Sequence, residues 1–315
     1  MSDSIRIGTR GSALAMAQTG FIAEKVAKAS GLPVELVPIV THGDHSTESL
    51  ASLGGTGVFA SALREALLGG QCDLLVHSFK DLPTADYPGL TVAAVPKRAD
   101  ARDAFCGRDG QTLETLPAGA RIGTGAPRRS AQLRLARPEL EVIDIRGNVD
   151  TRLGRVVEGD LDAVVLAAAG LGRLGRIDAA SELFELSRWP TAPAQGALAI
   201  EALSDHSAEL ESVLRSIDHG PSRMAALAER AVLASLQAGC SAPVGASAVL
   251  DGEMLFLSAT VYADDGQRSL TSSHALVVEG SPAERASLPA ELGSRVAKEL
   301  LDNGAAELTT FGGTA

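Results

Sequence analysis

Over its first two hundred residues the chain alternates short apolar runs with segments of helical periodicity, and that alternation restricts its fold more than any other feature of the sequence. Repeated βα units lay parallel strands side by side, and a parallel sheet needs helices on both faces. Residues 4–8 read as the first strand. Ser12 then opens a helix with Leu14, Ala17, Phe21, Ile22 and Val26 at helical spacing, closed by Gly31 and Pro33. Strands are expected at 34–40, 73–76 and 90–95, with a helix at 59–68. Residues 41–57 show no periodicity and are longer than most connections in compact domains, so they read as a lid or as disordered.

Residues 97–108 read as a polar passage where the chain crosses to a second α/β domain. That domain is expected to hold strands at 121–123, 141–145 and 163–166 and helices at 127–136 and 148–157, with Pro127 a helix-start signal. Pro190 and Pro193 break the pattern, and the apolar strand 197–200 returns to the first sheet. Two crossings between two α/β domains imply a hinged cleft. After Gly220 the character changes to a long helix at 221–236, strand-like runs at 244–250, 254–262 and 270–278, and a final helix at 282–301. Asp251-Gly252 and Asp265-Gly266 are hairpin signals. The expected division is residues 1–96 with 197–217, then 97–196, then a small α+β domain at 218–315. No internal sequence repeat is evident.

Composition narrows the function. A formal charge of −11 and an aromatic content of 3% argue against a nucleic-acid partner, which needs excess cation and stacking surfaces. Residues 1–10 lack the apolar run of a secretory leader, and no window approaches the roughly 20 apolar residues of a membrane span. Cys72, Cys106 and Cys240 are an odd number at wide spacing, which suits neither a disulfide framework nor a zinc site. The natural home is a reducing cytoplasm, with no metal. Any anion must then be met by a local basic cluster.

Such clusters stand at the ends of the expected strands, where open α/β sheets bind ligands. Gly8-Thr9-Arg10-Gly11-Ser12 joins a strand to a helix N-terminus, which suits a carboxylate or phosphate, although an ordinary serine cap beside a surface arginine fits equally. The buried run ending at Val76 releases His77, Ser78, Lys80 and Asp81 together. His77 reads as a hydrogen-bonded structural histidine, because no second ligand stands at zinc-site spacing. Gly123-Thr124-Gly125-Ala126-Pro127-Arg128-Arg129 and Arg146-Gly147-Asn148-Val149-Asp150-Thr151-Arg152 place four arginines around two helix starts. Planar guanidinium forks suit carboxylates, and no Walker or dinucleotide glycine pattern points to a nucleotide. The bland alternative is arginines spread over helix faces in salt bridges. Cys240 sits between the long third-domain helix and its first strand; a lone cysteine there is more often a small buried apolar residue than a reactive thiol.

Taken in order, residues 76–83 (VHSFKDLP), 123–129 with Gln132-Leu133, 146–153 (RGNVDTRL), Gln195-Gly196-Ala197, and Gly239-Cys240 with Pro243 and Gly245 resemble the porphobilinogen deaminase family over nearly the whole chain. The resemblance implies two α/β domains like type II periplasmic binding proteins around a cleft, plus a small α+β domain carrying the cofactor cysteine. It implies a dipyrromethane cofactor in thioether linkage to Cys240 and the head-to-tail condensation of four porphobilinogens, with ammonia released at each step. By position, Asp81 matches the catalytic carboxylate. Ser78, Lys80, Thr124, Arg128 and Arg129 match cofactor-binding positions, and Arg10, Ser12, Arg146, Arg152 and Arg173 match substrate-binding positions. The implied partner is porphobilinogen alone, with a monomer expected. The chain departs from many members at Thr56, where they have lysine, and at Gly125 and Ala126, where they have serines. Backbone N–H groups at Gly125 and Ala126 are the expected substitutes. The competing reading is a non-catalytic anion-binding protein of the periplasmic type, against which Cys240 and the absence of a leader argue.

Overall fold

The computed structural model describes residues 4–40, 57–239 and 242–311. The possible lid at 41–57 therefore lies almost wholly outside the described residues, as does Cys240. By contacts the chain forms two compact units, one from Met1–Arg98 with Ala197–Met224, the other from Ala99–Gly196 with Ala225–Gly313.

The first unit holds β1 (Ile5–Arg10), α1 (Ala13–Ser30), β2 (Val34–Ile39), α2 (Gly57–Leu68), β3 (Leu74–Ser78) and β4 (Leu90–Ala94). The second unit continues with β5 (Asp103–Gly107), β6 (Arg121–Thr124), α3 (Pro127–Ala136), β7 (Glu141–Asp144), α4 (Val149–Val157), β8 (Ala163–Ala167), α5 (Ala168–Arg173) and β9 (Glu182–Leu183). The chain then supplies β10 (Leu198–Leu203) and α6 (Ala208–Ile217) to the first unit. After α7 (Gly220–Ser235) come the antiparallel β11 (Val244–Asp251), β12 (Met254–Tyr262) and β13 (Ser269–Val277), and α8 (Pro282–Asp302).

Sheet one runs β2-β1-β3-β10-β4 and sheet two β7-β6-β8-β5-β9. In each, parallel strands stand beside one antiparallel member in the fourth place, β10 against β3 and β4 and β5 against β8 and β9. Two sheets of one topology, each with a return strand, are the type II periplasmic-binding arrangement expected. The repetition is structural, with no sequence repeat to announce it. Both faces of each sheet are covered, as parallel strands require. Ile7, Val76 and Ile200 pack with Ile22 and Val26 of α1 and Leu214 of α6, while Leu75 packs with Leu63 and Leu67 of α2. In sheet two, Phe105, Ile122 and Val165 face Leu133 and Trp189, and Cys106 and Val164 face Val156 and Leu171.

Local signals account for most boundaries. Ser12 caps α1 by accepting from Ala15 N–H, and Gly31 ends it in the left-handed region at φ 70°. Phe21, assigned to the apolar stripe, is 49% exposed, and Gln18 and Thr19 are buried instead. Their side chains are satisfied, Thr19 Oγ1 donating to Thr9 Oγ1 at 2.7 Å and Gln18 Nε2 to Ser78 Oγ at 3.0 Å. Two readings need correction. The polar passage at 97–108 contains β5, an interior strand with Ala104 and Phe105 fully buried; its flanking charges hid a run of only five residues. The helix α6 was missed although Ser207 caps it. No helix among the described residues is long and apolar enough to cross a membrane.

Candidate active site

In the first unit the expected site residues gather at one end of sheet one. β1 and β3 are parallel neighbours, so Arg10, which ends one strand, and Ser12 just past it emerge at the same sheet end as Ser78, which ends the other, and Lys80 and Asp81 beyond it. Residues Phe79–Asp81 form a 3₁₀ turn, fixed at its start by Phe79 N–H donating to Ala197 carbonyl at 3.0 Å. Phe79 is buried and Asp81 exposed, so the turn anchors its aromatic in the core and leaves the carboxylate accessible. Ser78 is held against Gln18, and Lys80 is partly exposed.

Behind that edge lies a buried ionic cluster. Arg64 Nη2 donates to Glu201 Oε1 at 2.8 Å, and His77 Nε2 lies 2.9 Å from Glu201 Oε2. Burial raises the Glu201 carboxyl, but the adjacent His77 and the hydrogen bonds from Arg64 outweigh it and hold the group at about 2. His77 is buried beside Glu201, but its Nε2 meets no acceptor in hydrogen-bonding geometry among the described residues, so the hydrogen bond expected of it is not made.

In the second unit the C-terminal ends of β6, β7 and β8 carry the remaining candidates. Pro127 occupies the first turn of α3, which places Arg128 and Arg129 at the start of that helix. Neither is a free surface cation. Arg128 Nη1 donates to Asp103 Oδ2 at 2.9 Å, to Gln132 Oε1 at 2.6 Å and to Pro190 carbonyl at 3.1 Å. Arg129 donates through Nη2 to Asp103 Oδ1 at 2.6 Å and through Nη1 to Val165 carbonyl at 3.1 Å. Trp189 Nε1 and Gln195 Nε2 complete the shell of Asp103 at 3.0 and 2.8 Å.

Asp103 is fully buried. Burial raises its carboxyl, and the charges of Arg128 and Arg129 more than reverse this, holding it far below the usual carboxylate range. Sequence reading overlooked Asp103 because it sits in the supposed polar passage. Its position has a topological reason: β5 runs antiparallel to β8, so its first residue stands opposite Ala167, at the sheet end that bears the arginines.

Each of these guanidiniums keeps one buried N–H, at Nε, with no acceptor among the described residues. A buried donor without a partner is costly, so both suit an added carboxylate. Thr124 is buried, and its Oγ1 accepts from Ala126 N–H at 3.3 Å. That bond removes Ala126 as the expected backbone substitute for a serine. At Gly125 a Cβ would fall 2.4 Å from Ile145 carbonyl oxygen, so this backbone excludes a serine there.

The other cations are less confined. Asn148 caps α4 by accepting from Thr151 N–H at 2.8 Å, which sets Arg152 in the first turns of that helix. Arg152 Nε donates to Gly147 carbonyl at 2.8 Å, and burial together with the charges of Arg129 and Arg146 lowers its guanidinium from the usual value. Arg146 is exposed, 3.7 Å from Asp144. Arg173 Nη2 donates to Gly196 carbonyl at 2.8 Å, and burial pushes its guanidinium down to about 10, still charged near neutrality. Gly196 has φ 85°, and a Cβ there would meet Ala99 carbonyl oxygen at 2.8 Å. Arg152, Arg146 and Arg129 thus share one positive region, as a polycarboxylate binder requires.

The chain matches two family models, "Porphobilinogen deaminase, dipyromethane cofactor binding domain" over residues 5–211 and "Porphobilinogen deaminase, C-terminal domain" over 224–302. It is 58% identical over 314 residues to a porphobilinogen deaminase of Leifsonia xyli subsp. xyli, covering 98% of this chain and 95% of the relative. It is 50% identical over 314 residues to porphobilinogen deaminase 1 of Streptomyces coelicolor, covering 97% of both. A porphobilinogen deaminase of Thermobifida fusca is 47% identical over 305 residues, covering 96% of this chain and 95% of that one.

Proposed function

Since the chain belongs to the porphobilinogen deaminase family, we propose a division of labour among its residues in the stepwise condensation of four porphobilinogen molecules. The bound dipyrromethane supplies the terminal pyrrole from which the chain is extended. Cys240 holds it through a thioether, and the buried Nε donors of Arg128 and Arg129 take its carboxylates, with Thr124, Ser78 and Lys80 completing its polar contacts. Those two unpaired donors are the single observation that supports the reading most strongly. Arg10, Ser12, Arg146, Arg152 and Arg173 bind the acetate and propionate groups of arriving substrate.

Asp81 acts on the reacting ring. When the C–N bond of the aminomethyl group breaks and ammonia leaves, the substrate becomes a cationic methylene-pyrrolenine. A carboxylate facing that cation, and accepting the pyrrole N–H, lowers the barrier electrostatically. Its exposed position on an anchored 3₁₀ turn suits a group that must meet a mobile substrate. We place this transferase in the reducing cytoplasm as a monomer organised in three domains, the third carrying Cys240.

The deciding comparison is Asp81→Asn, which keeps shape and removes charge, against Asp81→Glu, which keeps charge and shifts it by about one methylene. In single-turnover assays on folded holoenzyme, the asparagine variant is expected to lose turnover while retaining its cofactor, and the glutamate variant to keep a small residual rate. An asparagine variant as active as the native enzyme would remove Asp81 from the mechanism.

A further inference from the structure

The chain carries 28 basic residues, of which only Lys25, Lys28, Lys80, Lys97 and Lys298 are lysines. Lys25, Lys28 and Lys97 line one cavity of about 470 Å³ in the first unit, together with Asp218 and His219. Lys25 and Lys28 come from the last turns of α1, Lys97 from the segment after β4, and His219 from the segment before α7. Lysines at the end of a single helix would be ordinary complements of its dipole. Here three separate segments converge, in a protein of formal charge −11.

The cavity has no carboxylate to spare. Asp218 accepts from Arg223 Nε at 3.0 Å on both oxygens and from Val95 N–H at 2.6 Å. Neither Lys28 nor Lys97 has an ion pair among the described residues, and Lys25 Nζ lies 4.9 Å over the Phe21 ring. His219 adds a directed donor. Its Nδ1 faces both Ser222 N–H at 3.3 Å and Ser222 Oγ at 2.9 Å, a hydroxyl that itself accepts from Arg98 N–H; with Nδ1 as the acceptor the neutral ring carries its proton on Nε2, which has no acceptor among the described residues. Like charges so placed repel one another until a counter-anion neutralises them.

We propose that this cavity is a binding site for a small phosphate-bearing anion, separate from the arginines assigned to the pyrrole carboxylates. The choice of residue argues for phosphate. Guanidinium forks take carboxylates and phosphates alike, whereas lysine ammonium groups bind phosphate as point charges and lack the planar fork that pairs with a carboxylate. The volume lies within the range of roughly 300–1,000 Å³ usual for small-molecule sites. Lys97 and His219 flank the places where the chain leaves the first unit after Arg98 and passes on after Met224. A bound anion therefore ties both segments to α1.

Inorganic pyrophosphate is the probe, titrated calorimetrically into the native holoenzyme at low ionic strength, with citrate as a polycarboxylate of comparable charge. One site is expected, preferring pyrophosphate. Its affinity should fall at least tenfold in Lys28→Gln/Lys97→Gln and persist in Lys97→Arg, with unchanged circular dichroism in both variants. The amides of Val95, Lys97 and Arg98 should exchange more slowly with pyrophosphate bound. Absence of binding, equal affinity in the double glutamine variant, preference for citrate, or simple competition with porphobilinogen would each overturn the proposal.

Discussion

Asp103 contributes one negative charge to a pocket holding two buried arginines, and its loss is expected to be felt more than that of either partner. Asp103→Asn keeps the shape of the side chain and leaves two uncompensated guanidiniums. The expected cost is about 3–5 kcal/mol, measured by urea unfolding, with a fall in cofactor loading seen by intact mass. A loss below about 1 kcal/mol would show that the pair finds other compensation. Arg128→Leu and Arg129→Leu should impair cofactor loading, and Arg10→Leu and Arg152→Leu elongation, each lost charge-assisted bond costing on the order of 1.5–3 kcal/mol. A uniform effect across all four would refute the division. Thiol chemistry follows from burial. Desolvation pushes Cys72 up to about 11 and Cys106 up to about 12, so both remain protonated near neutrality. Iodoacetamide on cofactor-free native protein should label Cys240 and spare these two, as read by peptide mass mapping. Cys240→Ser should lack both the adduct and turnover.

Two contacts between elements carry predictions of their own. Glu201 of β10 binds Arg64 of α2 and His77 of β3, so three elements meet on one carboxylate. Its folded value of about 2 lies below its ordinary 4.5, so its stabilisation is complete above about 4.5 and is lost as pH falls through about 2. The magnitude is roughly 3 kcal/mol by linkage. Acid titration of stability should be shallower in Glu201→Gln over that window, and an unchanged slope would exclude Glu201 as its source. The second contact joins α7 and α8, which approach closely at Gly293, where a Cβ would fall 2.4 Å from Ala231 Cβ and 2.7 Å from Ala228 carbonyl oxygen. Because backbone cannot yield as a side chain does, Gly293→Ala should destabilise by about 1–3 kcal/mol in thermal unfolding. At this scale most of the structure was legible beforehand. Helices with a capping residue, such as α1 with Ser12 and α4 with Asn148, were located within a residue or two. β5 was not, because its apolar core is only Ala104, Phe105 and Cys106 between charged flanks, and what makes it a strand is pairing on both sides with β8 and β9.

The first unit is assembled from two stretches of chain, and β10 lies between β3 and β4 in its sheet. Leu198, Ile200 and Ala202 of β10 belong to its core. A fragment of residues 1–98 therefore lacks an interior strand and should remain unfolded by circular dichroism, whereas the whole chain should show folded secondary structure. A cooperatively folded fragment would show that β10 is dispensable. The sequence by itself determined the alternation of strands and helices, the return of β10 to the first sheet, and the order of motifs that carries family membership. These are local or collinear properties, set by periodicity, capping and residue type. Which charges are free was decided only in three dimensions. Arg128 and Arg129 read as cations at a helix start until the antiparallel course of β5 brought Asp103 between them, and folding alone places Lys97 beside Lys25 and Lys28 around one cavity. Electrostatic pairing depends on distance through space, and residues more than twenty positions apart in sequence carry no local sign that they will meet.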